Sequence, residues 1–189
     1  MTLWLVLLVL AAIAAVALAA LYNHLVQKRQ MTHNGWADID VQLKRRADLI
    51  PQLVAAVQGY AAHERSLFEE VVEKRNAAMA VGDDPAARGA AESALSRPVA
   101  KMIAVAENYP ELKASGNFLE LQTALAETED KIEMARRFYN GAVRELNTLI
   151  QSFPVNMLAG GFGFKKRDYF EIETAEKAAP SIDMGADAS

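Results

Sequence analysis

The feature that most constrains this chain is an unbroken apolar run at its start. From Leu3 to Leu21 there is no charge, no glycine and no proline. Nineteen residues in a helix span about 28 Å, close to the roughly 30 Å of a bilayer hydrocarbon core. Leu3, Trp4, Leu7, Leu10, Ile13, Val16, Leu18 and Leu21 carry the run, and all suit a lipid-facing helix. Trp4 near one end and Tyr22 near the other sit where interfacial aromatics belong. The competing reading is a cleaved signal peptide, for which Ala17-Leu18-Ala19 could serve as a site. No Lys or Arg precedes the run, however, and it exceeds a signal h-region in length, so an uncleaved single-pass anchor is the preferred reading. Lys28 and Arg29, with Lys44, Arg45 and Arg46 beyond them, follow the run. The positive-inside rule then places the N-terminus outside and the rest in the cytoplasm, at a bacterial inner membrane.

The remainder is long enough for about one domain with its own core. Three amphipathic stretches follow. The first runs from about 34 to 81 on Trp36, Ile39, Leu43, Ile50, Leu53, Val54, Val57, Tyr60, Leu67, Phe68, Val71 and Val72. Pro51 should bend or interrupt it, and a split there would raise the helix count to four. Gly35 and Gly59 also weaken its continuity. Gly82-Asp83-Asp84-Pro85 stops it. The second runs from about 85 to 109 on Leu95, Val99, Met102, Ala106 and Tyr109, with a kink expected at Pro98 and an end at Tyr109-Pro110.

The third stretch has the clearest pattern. Phe118, Leu121, Leu125, Thr128, Ile132, Ala135, Tyr139, Ala142, Leu146, Leu149 and Phe153 alternate steps of three and four. The seam predicts a helix of about 36 residues, roughly 54 Å long. Asn117 with Glu120 reads as its capping box, and Phe153-Pro154 as its end. The expected architecture is all-α: an N-terminal transmembrane helix (with its juxtamembrane segment, 1–30), then an antiparallel bundle of three or four long helices over 31–156.

Residues 157–170, reading MLAGGFGFKKRDYF, form a Gly- and aromatic-rich segment. Phe162, Phe164, Lys165, Lys166 and Arg167 are its candidate contacts with a membrane surface or a partner. The preferred alternative is a loop that folds back and buries its phenylalanines. The tail 171–189 holds Glu171, Glu173, Glu176, Asp183 and Asp187 against Lys177. That accounts for the formal net charge of −4 and reads as disordered.

Chemistry-bearing patterns are few. The absence of cysteine removes disulfides, a thiolate nucleophile and cysteine-zinc sites. His24, His33 and His63 lack metal-ligand spacing, and Gly160-Gly161-Phe162-Gly163 lacks the context of a phosphate loop. Asp40–Lys44 and Glu133–Arg137 are ordinary i, i+4 pairs. Asn140 and Asn147, seven apart beside the seam, could set register; a water-exposed flank is the preferred reading, as it is for Arg137 and Arg144. No concentrated basic face points to nucleic acid. No catalytic, cofactor, metal or small-molecule site is expected.

Several long strings resemble the LemA family of bacterial membrane proteins. They are Leu21-Tyr22-Asn23 with Leu25-Val26, WADIDVQLKRRADLIPQLV at 36–54, GYAAHE at 59–64, AENYPELKAS at 106–115 and NFLELQ at 117–122. ARRFYNGAVRELNTLIQSFP at 135–154, LAGGFGF at 158–164 and Tyr169-Phe170 complete the match. The resemblance implies one N-terminal membrane helix and a helical bundle, with no catalytic or cofactor residues. Relatives are associated with membrane proteins and with internal membrane organisation. The expected role is therefore a self-associating membrane scaffold in contact with the lipid bilayer. An adaptor for another membrane protein, such as a protease, is the alternative, and a hydrolase or metal enzyme comes last.

Overall fold

A computed structural model describes residues 2–172, so Met1 and most of the acidic tail, 173–189, lie outside it. Among the described residues there are helices and no strands. Helix α1, Thr2–Gln58, is a single rod of 57 residues, about 86 Å long. None of its most apolar window is buried, as for a helix that meets lipid. From Leu25 onward one stripe turns inward: Leu25, Ile39, Leu43, Ile50, Leu53 and Val57 are all buried. No break falls at residue 30, and Leu25 already packs in the core.

The helix also passes straight through Pro51. A proline removes the bond to the carbonyl four residues back, here that of Ala47. Arg75 Nε, from the next helix, donates to that carbonyl at 2.6 Å. The orphan created by Pro51 is thus satisfied from outside, and the helix has no reason to break there. It ends at Gln58, before Gly59, and the chain turns through 59–64 into α2, Arg65–Ala80. The first stretch is therefore divided after all, at Gly59 rather than Pro51.

Helix α3, Pro85–Ala106, starts on Asp84, whose carboxylate accepts from the amides of Ala86 and Ala87 at 3.0 and 3.2 Å. It runs through Pro98 without interruption. A short α4, Pro110–Lys113, leads to α5, Gly116–Gln151, of 36 residues. The cap of α5 is Ser115, without a side-chain bond, so the capping box expected on Asn117 does not form. Buried partners fall in reverse order along α1 and α5: Leu25 with Leu146, Leu43 with Ile132, Ile50 with Leu125. The two helices are antiparallel. At Gly35 they approach so closely that an added Cβ would lie 3.0 Å from the Phe138 ring and 3.1 Å from Tyr139 Cα.

The core has three parts. Far from the apolar run, α1, α2, α3 and α5 close around Leu53, Val57, Phe68, Leu95, Met102 and Phe118. In the middle, Ile39, Leu43, Ile132, Tyr139 and Val143 enclose Phe170. Nearest the run, Leu25 and Leu146 enclose Val155, Ala159 and Phe164. The last two parts depend on the chain beyond α5. That chain turns back through α6, Val155–Leu158, and then runs extended to Ile172.

Candidate functional site: a clamped strap and a buried ion-pair network

The returning segment, 164–172, is held as a strap along α5 by asparagine side chains. Asn147 donates through Nδ2 to the Arg167 carbonyl at 2.8 Å and accepts from the Arg167 amide at 2.9 Å. Asn140 does the same for Phe170, at 2.9 and 3.0 Å. Each carboxamide thus mimics a backbone partner in a sheet. The register has a simple origin: seven helical residues rise about 10.5 Å, and three extended residues cover about 10 Å. Between the clamps the Tyr139 hydroxyl donates to the Asp168 carbonyl at 2.9 Å. Burial, opposed by Arg167 and reinforced by Asp168, pushes the Tyr139 phenol up to about 12, so it remains a donor at neutral pH. The far end of the strap crosses α3 at Gly89, where an added Cβ would lie 2.2 Å from the Glu171 carbonyl oxygen. Only glycine permits that crossing.

Aromatic rings close the strap onto α1. Trp36 lies 5.5 Å from Tyr139 and 5.6 Å from Phe170 between ring centroids. Tyr22 stands edge-on to Phe162 and Phe164 at 5.4 and 5.8 Å. The Arg29 guanidinium lies 5.0 Å over Phe164, a cation–π contact. Lys28 reaches Glu145 across the helix pair at 2.7 Å, and that contact holds the Glu145 carboxyl below its ordinary range.

Where the bundle core passes into the strap-covered section, charge is buried. Arg46 of α1 donates to Glu92 at 3.0 Å and to Ser96 Oγ at 2.8 Å, both on α3. Its Nε lies 2.8 Å from Glu129 of α5, as an ion pair without the alignment of a hydrogen bond. Arg88 pairs with the other Glu92 oxygen at 3.0 Å and donates to the Val81 carbonyl at 3.3 Å. Two arginines and two glutamates balance, with Arg46, Arg88 and Glu92 buried and Glu129 partly exposed at the rim, and they tie three helices at one level. Burial pushes the Glu129 carboxyl up, against the pull of Arg46 and with a smaller push from Glu92. A guanidinium carries N–H donors and no acceptor, so Arg46 and Arg88 donate throughout this network. Breaking such a pair from one side is costly, because it strands a buried charge.

The candidate residues read from the sequence divide between these regions. Leu3, Trp4, Leu7, Leu10, Ile13, Val16 and Leu18 stand exposed on the first turns of α1, while Leu21 packs partly against the bundle. Of the seam, Phe118, Leu121, Leu125, Ile132, Tyr139 and Leu146 are buried and Leu149 is partly buried. Phe153 does not join it: α5 ends at Gln151, and Phe153 is 79% exposed. Phe164 lies in the core, which removes it from any contact with membrane or partner, whereas Phe162 is 40% exposed and Lys165, Lys166 and Arg167 are exposed. Asn140 and Asn147 are not a water-exposed flank but the clamps of the strap.

Sequence reasoning missed the buried network, and treated Arg46 as a flanking membrane charge. The signal was present. Arg46 falls between Leu43 and Ile50 on the buried stripe of α1, and Glu92 falls three residues before Leu95 on that of α3. A charge on a core stripe needs a partner.

An apolar entry helix, an antiparallel helix pair and a returning strap clamped by asparagines define a membrane-associated helical-bundle protein. The LemA family model matches residues 35–184, and the chain belongs to that family. It is 27% identical over 193 residues to magnetosome protein MamQ 2 of Paramagnetospirillum magneticum, covering 88% of this chain and 71% of that one. MamQ of Magnetospirillum gryphiswaldense is 24% identical, covering 82% and 66%. Protein LemA of Metamycoplasma hominis is 24% identical, covering 72% and 63%.

Proposed function

We propose that this protein is a non-enzymatic, self-associating scaffold that organises the bacterial inner membrane. The observation that carries the reading is α1 itself. One unbroken helix passes from fully exposed apolar turns into the centre of the bundle, so the bundle is fixed rigidly to the anchor rather than tethered by a linker. The exposed Met134 and Phe138, one turn apart on α5, offer an apolar face for a second copy. The relatives named as magnetosome proteins favour an organising role over a catalytic one. For orientation, Lys165 and Lys166 add exposed positive charge on the side that follows the apolar run, which favours a cytoplasmic bundle.

The test is the mass of the full chain extracted gently with its lipids, beside a chain lacking residues 2–20. That truncation spares Leu21 and Leu25, which belong to the core. A defined homo-oligomer that dissociates on truncation is the expected result. A monomer in both forms would refute self-association and turn attention to an adaptor bound to another membrane protein.

A further inference from the structure

The turn after α5 leaves large apolar side chains in the open. Phe153 is 79% and Met157 75% exposed, and Phe162, further along the same turn, is 40% exposed. Their height along α1 is fixed by packing. Val155 and Ala159 of the same turn share a core cluster with Leu25, and Leu21 and Val26 pack against it. The Tyr22 ring meets Phe162. The turn therefore lies at the level of residues 21–26, within about 8 Å of the end of the apolar run. That is the depth of the headgroup–acyl boundary when the run spans the bilayer. The next residues, Lys165 and Lys166, are exposed one step further from the run, near Arg29, which lies over Phe164.

We propose that the turn Ser152–Gly163 is a foot that dips into the same leaflet as the anchor leaves. Phe153, Met157 and Phe162 enter the boundary between headgroups and acyl chains. Lys165 and Lys166 engage anionic headgroups just above it. The bilayer is the occupant because the surface continues that of the spanning helix, and because apolar tips under a basic rim match the order of layers in a membrane. A second contact point fixes the tilt and rotation of the bundle, which one spanning helix leaves free. The inference rests on the membrane reading of α1, and not on self-association.

The chain has no cysteine, so single labels can be placed cleanly. The full chain would carry an environment-sensitive nitrobenzoxadiazole dye at Phe153→Cys, Met157→Cys, Val9→Cys or, at the exposed start of α5 far from the apolar run, Leu119→Cys, at one chain per nanodisc. The discs would contain phosphatidylcholine with or without phosphatidylglycerol, and acyl-brominated lipid as quencher. The labels at 153 and 157 are expected to be blue-shifted and quenched several-fold more than the label at 119. Phosphatidylglycerol should deepen that quenching, and Lys165→Gln with Lys166→Gln should remove the increment. A quenched label at 9 with labels at 153 and 157 as wet as 119 overturns the foot alone. An unquenched label at 9 overturns the membrane reading beneath it. A blue shift that needs several chains per disc would assign the patch to a second copy and overturn the lipid assignment. Quenching indifferent to phosphatidylglycerol would overturn the headgroup contact.

Discussion

The two ends of the bundle solve the same problem with different materials. At the far end α1, α2, α3 and α5 surround a common core, and most of its wall is helix face, closed by Ala61 of the turn before α2 and Leu112 of α4. At the end near the apolar run α1 and α5 are the only long helices in the core, and two helices cannot enclose the faces they turn to each other. The third wall there is the strap with the turn before it, which supplies Val155, Ala159, Phe164 and Phe170. Extended chain has no hydrogen bonds of its own, and burying it beside a helix would strand its amides and carbonyls. Asn140 and Asn147 remove that cost at Phe170 and Arg167. The comparison shows that polar residues beside an apolar seam can complete a core by holding an extended segment over it.

The sharpest way to break the comparison is at the junction of the two ends. Arg46→Ala leaves Glu92 short of one partner and removes the ion pair to Glu129. It is expected to cost about 3–5 kcal/mol of stability and to uncouple the ends, so that chemical unfolding of the full chain in micelles shows two transitions. The next effect separates them. Asn147→Ala removes both bonds to Arg167, at about 1–3 kcal/mol. Amide exchange should accelerate at Arg167, while the far core around Met102 keeps its protection. Equal loss at both ends would show that they fold as one unit.

A smaller effect tests the far end. Arg75→Met removes the donor to the Ala47 carbonyl but keeps most of the side chain's bulk. A loss of about 1 kcal/mol is expected, because water can reach part of the vacated site. Pro51→Ala restores the missing amide, so Arg75→Met should cost less in that background, and a double-mutant cycle measures the difference. The smallest effect is electrostatic. Burial raises the Glu129 carboxyl above its unfolded value, so the folded state holds this proton more tightly than the unfolded chain. Its contribution is therefore most favourable at acid pH and declines as pH rises through the unfolded and then the folded value. Stability of Glu129→Gln minus that of the unaltered chain should rise as pH goes from the carboxylate range to neutrality. A flat or falling difference would contradict the assigned cause.

Much of the scaffold is legible in the amino-acid sequence. The run from Leu3 to Leu21 and the alternating steps from Phe118 to Leu149 are local patterns, and a helix is a local structure. The 36 residues of α5 match the expected length, and Gly82–Pro85 separates helices where expected. What failed was decided at a distance. Pro51 reads as a break, yet Arg75 on α2, 28 residues beyond Ala47, supplies a donor to the carbonyl that the proline leaves without its amide. Asn147 reads as a flank, yet its partner is the backbone of Arg167, 20 residues on. Arg46 reads as a membrane-flanking charge, yet Glu92 and Glu129 draw it into the interior. The sequence by itself determined the apolar entry, the all-helical class and most of the apolar stripe of α5, because these follow from side-chain spacing along a helix of fixed pitch. Only the tertiary structure decided which polar groups go inside and where the extended strap lies. Those depend on a partner's position in space, and no periodicity along the chain records it.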